Sequence, residues 1–184
     1  MHNRRAHTNR PWVALLTIVA VLAVGLRIAG VGRGGAHHPN VLAMPTPAKT
    51  GASSLARVGR AQVTIPAGWS RVERGRDHAT WAAANHASSV TLGAMVASAQ
   101  PLARVLSGGV TDLRRSVPGL VGAPRMSAAS PTDASVDFDV VRNHMHIHVR
   151  QRWHRDEGAQ LDAVATWTWS RGAARPPTRA PRVQ

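Results

Sequence analysis

The chain has no cysteine, no tyrosine, a single phenylalanine and a single lysine among its 184 residues. Each scarcity removes a class of explanation. Without cysteine there is no disulfide framework, no thiolate metal centre, no thiol nucleophile and no acylated lipoprotein cysteine. Any metal would have to rest on histidine and carboxylates.

Acidic residues are also scarce, nine against 23 basic ones, and the formal net charge is +14. The excess is unevenly placed. Arg4, Arg5, Arg10, Arg27 and Arg33 lie in or beside an N-terminal apolar segment, and Arg171, Arg175, Arg179 and Arg182 lie in a Pro-rich tail. Between Arg57 and Ser170, 13 arginines stand against all nine acids, so the middle of the chain is not a polycation. Nucleic acid is therefore not an expected partner. Nearly exclusive use of Arg over Lys, with abundant Ala, Gly and Val, reads as coding bias rather than phosphate recognition.

Gly-x-Ser-x-Gly, Ser-x-x-Lys, His-Glu-x-x-His and phosphate-loop patterns are all missing. Asp137 and Asp139 share a strand face, but cross-strand pairing with cations accounts for them without catalysis. No enzymatic activity and no cofactor are expected.

Residues Trp12 to Leu26, "WVALLTIVAVLAVGL", carry no charge, and the apolar character continues past Arg27 to Val31. A helix over 12–31 would cross about 30 Å of hydrocarbon. Pro11 suits its first turn, and the basic segment 1–11 places the N-terminus in the cytoplasm. A cleaved signal peptide is the alternative, with small residues at "AVG" (Ala23 to Gly25). Either way the remainder of the chain is exported. A single-pass cell-membrane protein with an extracytoplasmic C-terminal domain is the expected localisation.

Residues 32–56 form a Gly/Pro-rich linker without periodicity, and a domain is expected over 57–170. Alternation at Ala61, Val63 and Ile65, then "WSRVER", "HATWAAAN" and "SSVTLGAMVAS", predicts four short strands. From Pro101 to Val117 the apolar positions Leu102, Val105, Leu106, Val110, Leu113 and Val117 recur at helical spacing. Gly108-Gly109 should weaken or kink that helix. A loop is expected through Pro131, followed by strands over Ala134 to Val141, Met145 to Trp153 and Gln160 to Trp169. Residues 171–184 should be a disordered Arg/Pro tail. The predicted fold is α+β, an antiparallel sheet of about six or seven strands with one main helix packed on a face, preceded by the transmembrane helix.

A membrane helix, a linker, "VTIPAGWSRV" (Val63 to Val72), a Leu/Ala/Arg-rich helix at Pro101 to Val117 and "VRQRWHR" (Val149 to Arg155) together resemble the exported C-terminal domain of actinobacterial type VII secretion-associated membrane proteins. Lipoprotein-like domains of the PsbP/Mog1-like fold are a more distant likeness, sharing the "P-x-G-W" opening. The resemblance implies an accessory, non-enzymatic role with a protein partner in a secretion or envelope complex.

The candidate site is the stretch "HMHIHVRQR". On a strand, His144, His146, His148, Arg150 and Arg152 would form one row, with Met145, Ile147, Val149, Gln151 and Trp153 turned inward. His-x-His is a metal spacing, so His144, His146 and His148 are an alternative ligand set. Arg150 and Arg152 oppose a dication, however; a solvated polar face, which any half-buried strand needs opposite its apolar side, accounts for the row, and a stripe that binds a partner or an anion is the functional alternative. Trp167 and Trp169, also two apart, are the aromatic pair that could stack on a ligand.

Overall fold

The computed structural model describes residues 52–184. The expected membrane segment 12–31, the basic segment 1–11 and nearly all of the linker 32–56 lie outside the described residues. Among the described residues no helix is long and apolar enough to cross a membrane.

The domain begins three residues earlier than expected, with β1 (Ser54–Val58) paired to β2 (Ala61–Ile65). Next come β3 (Ser70–Arg74), β4 (His78–Ala82), β5 (Ser88–Val96), helix α1 (Leu102–Ser116), β6 (Leu120–Ala128), β7 (Asp133–Arg142), β8 (Met145–Asp156), β9 (Leu161–Ser170) and β10 (Arg182–Val183). Seven of the strands form one antiparallel sheet in the order β3-β4-β5-β9-β8-β7-β6, and a second sheet of three has the order β1-β2-β10. A single sheet with Ala61, Val63 and Ile65 in its first strand was the expectation; that strand lies instead in the second, smaller sheet.

The two layers cover opposite halves of the large sheet. On one face, Leu102, Leu106 and Leu113 of α1 pack against Val136, Phe138 and Val140 of β7 and Ile147, Val149 and Trp153 of β8. On the other, Val63 and Ile65 of the small sheet pack against Val90, Leu92, Ala163, Ala165 and Trp167 of β5 and β9. Alternation along β9 makes this possible, because Val164 joins the first core while Ala163, Ala165 and Trp167 join the second. Each fully buried Leu or Val contributes roughly 1.5–3 kcal/mol.

The helix runs unbroken through Gly108-Gly109, for 15 residues. Buried leucines on both sides of the pair, Leu106 and Leu113, supply the packing that offsets the weak propensity there. Pro118-Gly119 ends it. Gly119 has φ of +80°, and a Cβ there would lie 2.1 Å from the Val141 carbonyl oxygen, so only glycine fits.

Two expectations are corrected. The segment read as a loop before Pro131 contains β6, an edge strand whose pairing with β7 is interrupted between Val121 and Arg125. Gly122 and Pro124 fall inside that interruption, where a missing N–H costs little, and they are what disguised the strand. The tail is not disordered but folds back over the sheet. Pro176 and Pro181 are buried, the Trp167 indole N–H donates to the Arg179 carbonyl at 3.3 Å, and Arg182 and Val183 pair with Gln62 and Ala61. Composition rich in Arg and Pro concealed these few anchoring positions.

A charged clamp sits where α1 begins. Arg155 and Asp162 are opposite one another on β8 and β9, and both are buried. The Arg155 Nε and Nη2 groups donate to the two Asp162 carboxylate oxygens at 2.7 and 2.8 Å, and Nη1 donates to the Gln100 carbonyl just before the helix. The hydrogen bonds to Asp162 outweigh burial and hold the guanidinium pKa above its usual value.

Candidate functional site

Beyond the small sheet, the same face of the large sheet over β7 and β8 is crossed by the C-terminal tail. The outward row of β8 there consists of His146, His148, Arg150, Arg152 and His154, opposite Val141, Asp139, Asp137, Ser135 and Asp133 of β7. Three of the five positions thus meet a carboxylate. His148 Nδ1 lies 2.6 Å from Asp139, His154 Nδ1 lies 2.9 Å from Asp133, and the Arg150 Nε donates to Asp137. These side chains are a quarter to two-fifths exposed, which makes the pairs oriented rather than deeply buried.

Burial works to raise the Asp133 pKa, but hydrogen bonds from His154, Ser130 and Thr132, with the charge of His154, outweigh it and hold the carboxyl below its ordinary value. The Asp133 oxygens are also spaced to orient the loop before β7, since both hydroxyls lie 3.0 Å from Oδ2.

His144 leaves the row. It occupies the β7–β8 turn with Asn143, at φ of +63° and +49° respectively, the left-handed pair that a two-residue type I′ hairpin requires. The ligand set His144, His146 and His148 is therefore not assembled. His144 turns off the strand, and Nδ1 of His148 is engaged by Asp139. Among the described residues no three His, Asp or Glu side chains converge to hold a metal ion.

The tryptophan pair is divided between two environments. Trp167 is fully buried and meets Trp69 edge-on, with centroids 6.2 Å apart. Trp169 is half-buried, stacked on His148 at 5.5 Å and approached by the Arg175 guanidinium at 5.7 Å. Trp167 is thus a core residue, and Trp169 is a brace joining the row to the tail. Cation–π attraction of the Arg175 kind is worth about 0.5–1 kcal/mol at an exposed site.

Arg152 is the arginine of the row that meets no carboxylate. Its cross-strand neighbours are Ser135 on β7 and Ala165 on β9, neither able to neutralise it. Its Nε is buried without a hydrogen-bond partner among the described residues. Beside it, the sheet, the small sheet and the tail line a half-open pocket of about 770 Å³, bordered by Arg152, His154 and the already hydrogen-bonded Asp133 on the sheet side, by Val63, and by Arg179, Pro181 and Arg182 of the tail. Arg150 also donates to the Thr178 hydroxyl at 3.4 Å, which fastens the tail across the row.

Sequence reasoning assembled the row but not its lid. Asp133 and His154 continue the alternation and were within reach of that reasoning. Nothing in "RGAARPPTRAPRVQ" marked Arg179 or Arg182 as walls, because the tail takes its path from contacts distant in sequence.

No family model matches the sequence, and no curated protein matches it. Among solved structures, the Saccharomyces cerevisiae Ran-binding protein Mog1p is similar at 11% identity and a TM-score of 0.50, over 65% of this chain and 77% of Mog1p. A mutant of Mog1 is similar at 12% identity and a TM-score of 0.48, over 65% of this chain and 78% of that one. A Pseudomonas aeruginosa protein of unknown function is similar at 15% identity and a TM-score of 0.38, over 70% of this chain and 100% of that one. The fold is thus Mog1-like, and at this identity the likeness to Mog1p extends to the fold alone.

Proposed function

We propose that this chain is a non-enzymatic, membrane-anchored accessory protein that holds an α+β binding domain outside the membrane, where it contacts a protein partner in type VII secretion or the cell envelope. The observation that carries the binding reading is the register of β7 against β8. It fixes His148 on Asp139 and Arg150 on Asp137 beside the exposed His146, so the polar groups are oriented before any partner arrives. Preorganised side chains lose less entropy on association. The reading of export rests on the uncharged run from Trp12 to Leu26 behind Arg4, Arg5 and Arg10.

The Mog1-like architecture is compatible with protein binding, since Mog1p itself is a Ran-binding protein. The secretion context rests on the sequence resemblance at "VTIPAGWSRV" and "VRQRWHR". Photo-crosslinking in intact cells tests the whole reading. A crosslinker in place of exposed His146 should trap a discrete envelope protein, whereas one in place of Arg115, exposed on α1, should not. Equal trapping from both positions, or none from His146, counts against the proposed face.

A further inference from the structure

We propose that the cavity between the tail and the sheet is a binding site for a small dicarboxylate, with Arg152 gripping one of its carboxylates. This goes beyond the protein-binding reading and stands or falls separately from it, because it concerns the pocket at Arg152 rather than the surface around His146 and His148.

Arg152 departs from a consistent pattern. Its neighbours in the row, Arg150 and His154, each have a carboxylate directly across the hairpin. Arg152 has Ser135 there, and Ala165 on its other side. The diagonal carboxylates Asp137 and Asp133 are occupied by Arg150 and by His154, Ser130 and Thr132. The Arg152 Nε is nevertheless buried and donates to no described residue. A buried donor on a fixed positive charge is costly to leave unmet, and the loss is recovered when an anion supplies the acceptor.

Three features of the cavity select the ligand class. Arg152 presents a planar guanidinium, which matches a carboxylate through two parallel hydrogen bonds. Arg179 and Arg182 on the tail wall also lack a carboxylate partner among the described residues, which provides for a second negative group. Val63 and Pro181, both buried, give the cavity an apolar part. A short hydrocarbon skeleton fits against that part, and inorganic phosphate has none to offer. The volume, about 770 Å³, leaves room for a small organic molecule with water around it.

The test is isothermal titration of the full chain, in detergent at fixed ionic strength, with succinate, glutarate and inorganic phosphate. A dicarboxylate should bind at one site per chain with Kd of about 1 mM or tighter. Arg152→Met should weaken it by about 10- to 100-fold, the range of a lost charge-assisted bond. Arg152→Lys, which keeps the charge without the fork, should fall between. Arg104→Met removes an exposed guanidinium from α1, on the opposite face of the sheet, and should change affinity by less than about threefold, an effect of screened charge alone. Each variant's urea midpoint establishes that it is folded, and the wild-type titration is decisive even if one is not. The proposal is overturned if neither dicarboxylate binds saturably to the wild-type chain, if phosphate binds as tightly, or if Arg152→Met keeps full affinity. An acidic peptide that binds more tightly than either dicarboxylate would also overturn it, by making the cavity part of a protein interface.

Discussion

Removing the Asp162 carboxylate should be among the most damaging single changes available to this domain. The side chains of Arg155 and Asp162 are only 8% and 3% exposed, and two guanidinium donors rest on the carboxylate. In Asp162→Ala those two donors lose their acceptors while the charge stays buried. A hydrogen bond to a charged group is worth about 1.5–3 kcal/mol, and breaking a buried ion pair typically costs about 3–5 kcal/mol. The second figure is the better guide, because water entering the vacated space recovers part of the loss. With a urea slope of about 2 kcal/mol/M, the midpoint should fall by about 2 M without a change in slope. Tryptophan fluorescence can follow it, since Trp153 and Trp167 are both buried. The combined change Arg155→Met with Asp162→Leu should recover most of the loss, because it removes both charges together. Arg155 also donates to the Gln100 carbonyl, so the first turn of α1 should lose amide-exchange protection before the rest of the helix. A cost below about 1 kcal/mol for Asp162→Ala would refute the reasoning, since a solvated pair behaves that way.

Gly108→Ala should stabilise the domain by about 1 kcal/mol, because a Cβ there meets nothing within 4 Å and the helix is continuous through the position; chemical denaturation checks it. His144→Gly should raise stability by about 1 kcal/mol in the same assay, since His144 is in the left-handed region and Asn-Gly is the favoured type I′ pair. Asp133 contributes stability that is present above its unfolded pKa and is lost as pH falls through its depressed folded pKa. Asp133→Asn should therefore show a shallower loss of urea midpoint below about pH 4 than the wild-type chain.

The sequence was legible wherever local pattern and tertiary role agreed. Ala61, Val63 and Ile65 alternate because one sheet packs on another, and Leu102, Leu106 and Leu113 recur because one helix face is buried. The outward row of β8 was readable for the same reason, its even positions standing opposite Ile147, Val149 and Trp153. Legibility failed where a residue's local preference was overridden. Gly122 and Pro124 read as a loop although an interrupted edge strand accommodates both, and His144 read as part of the strand although the hairpin needs a residue of positive φ there. The tail was the largest loss. Its path depends on Trp167, Gln62 and Ala61, far away in the chain, and a composition of Arg, Pro and Ala carries no trace of them. The same gap hid the pocket wall, so Arg152 could be named as part of a stripe but not as the arginine in it that meets no carboxylate.

The absence of cysteine gives the most direct test of the central claim, that an anchored chain displays this domain outside the membrane. Full-length variants His146→Cys and Arg4→Cys would each carry a single thiol, which can be probed in intact cells with a membrane-impermeant maleimide. The account predicts labelling at position 146 without lysis and at position 4 only after it. Labelling of position 146 that requires lysis would contradict it.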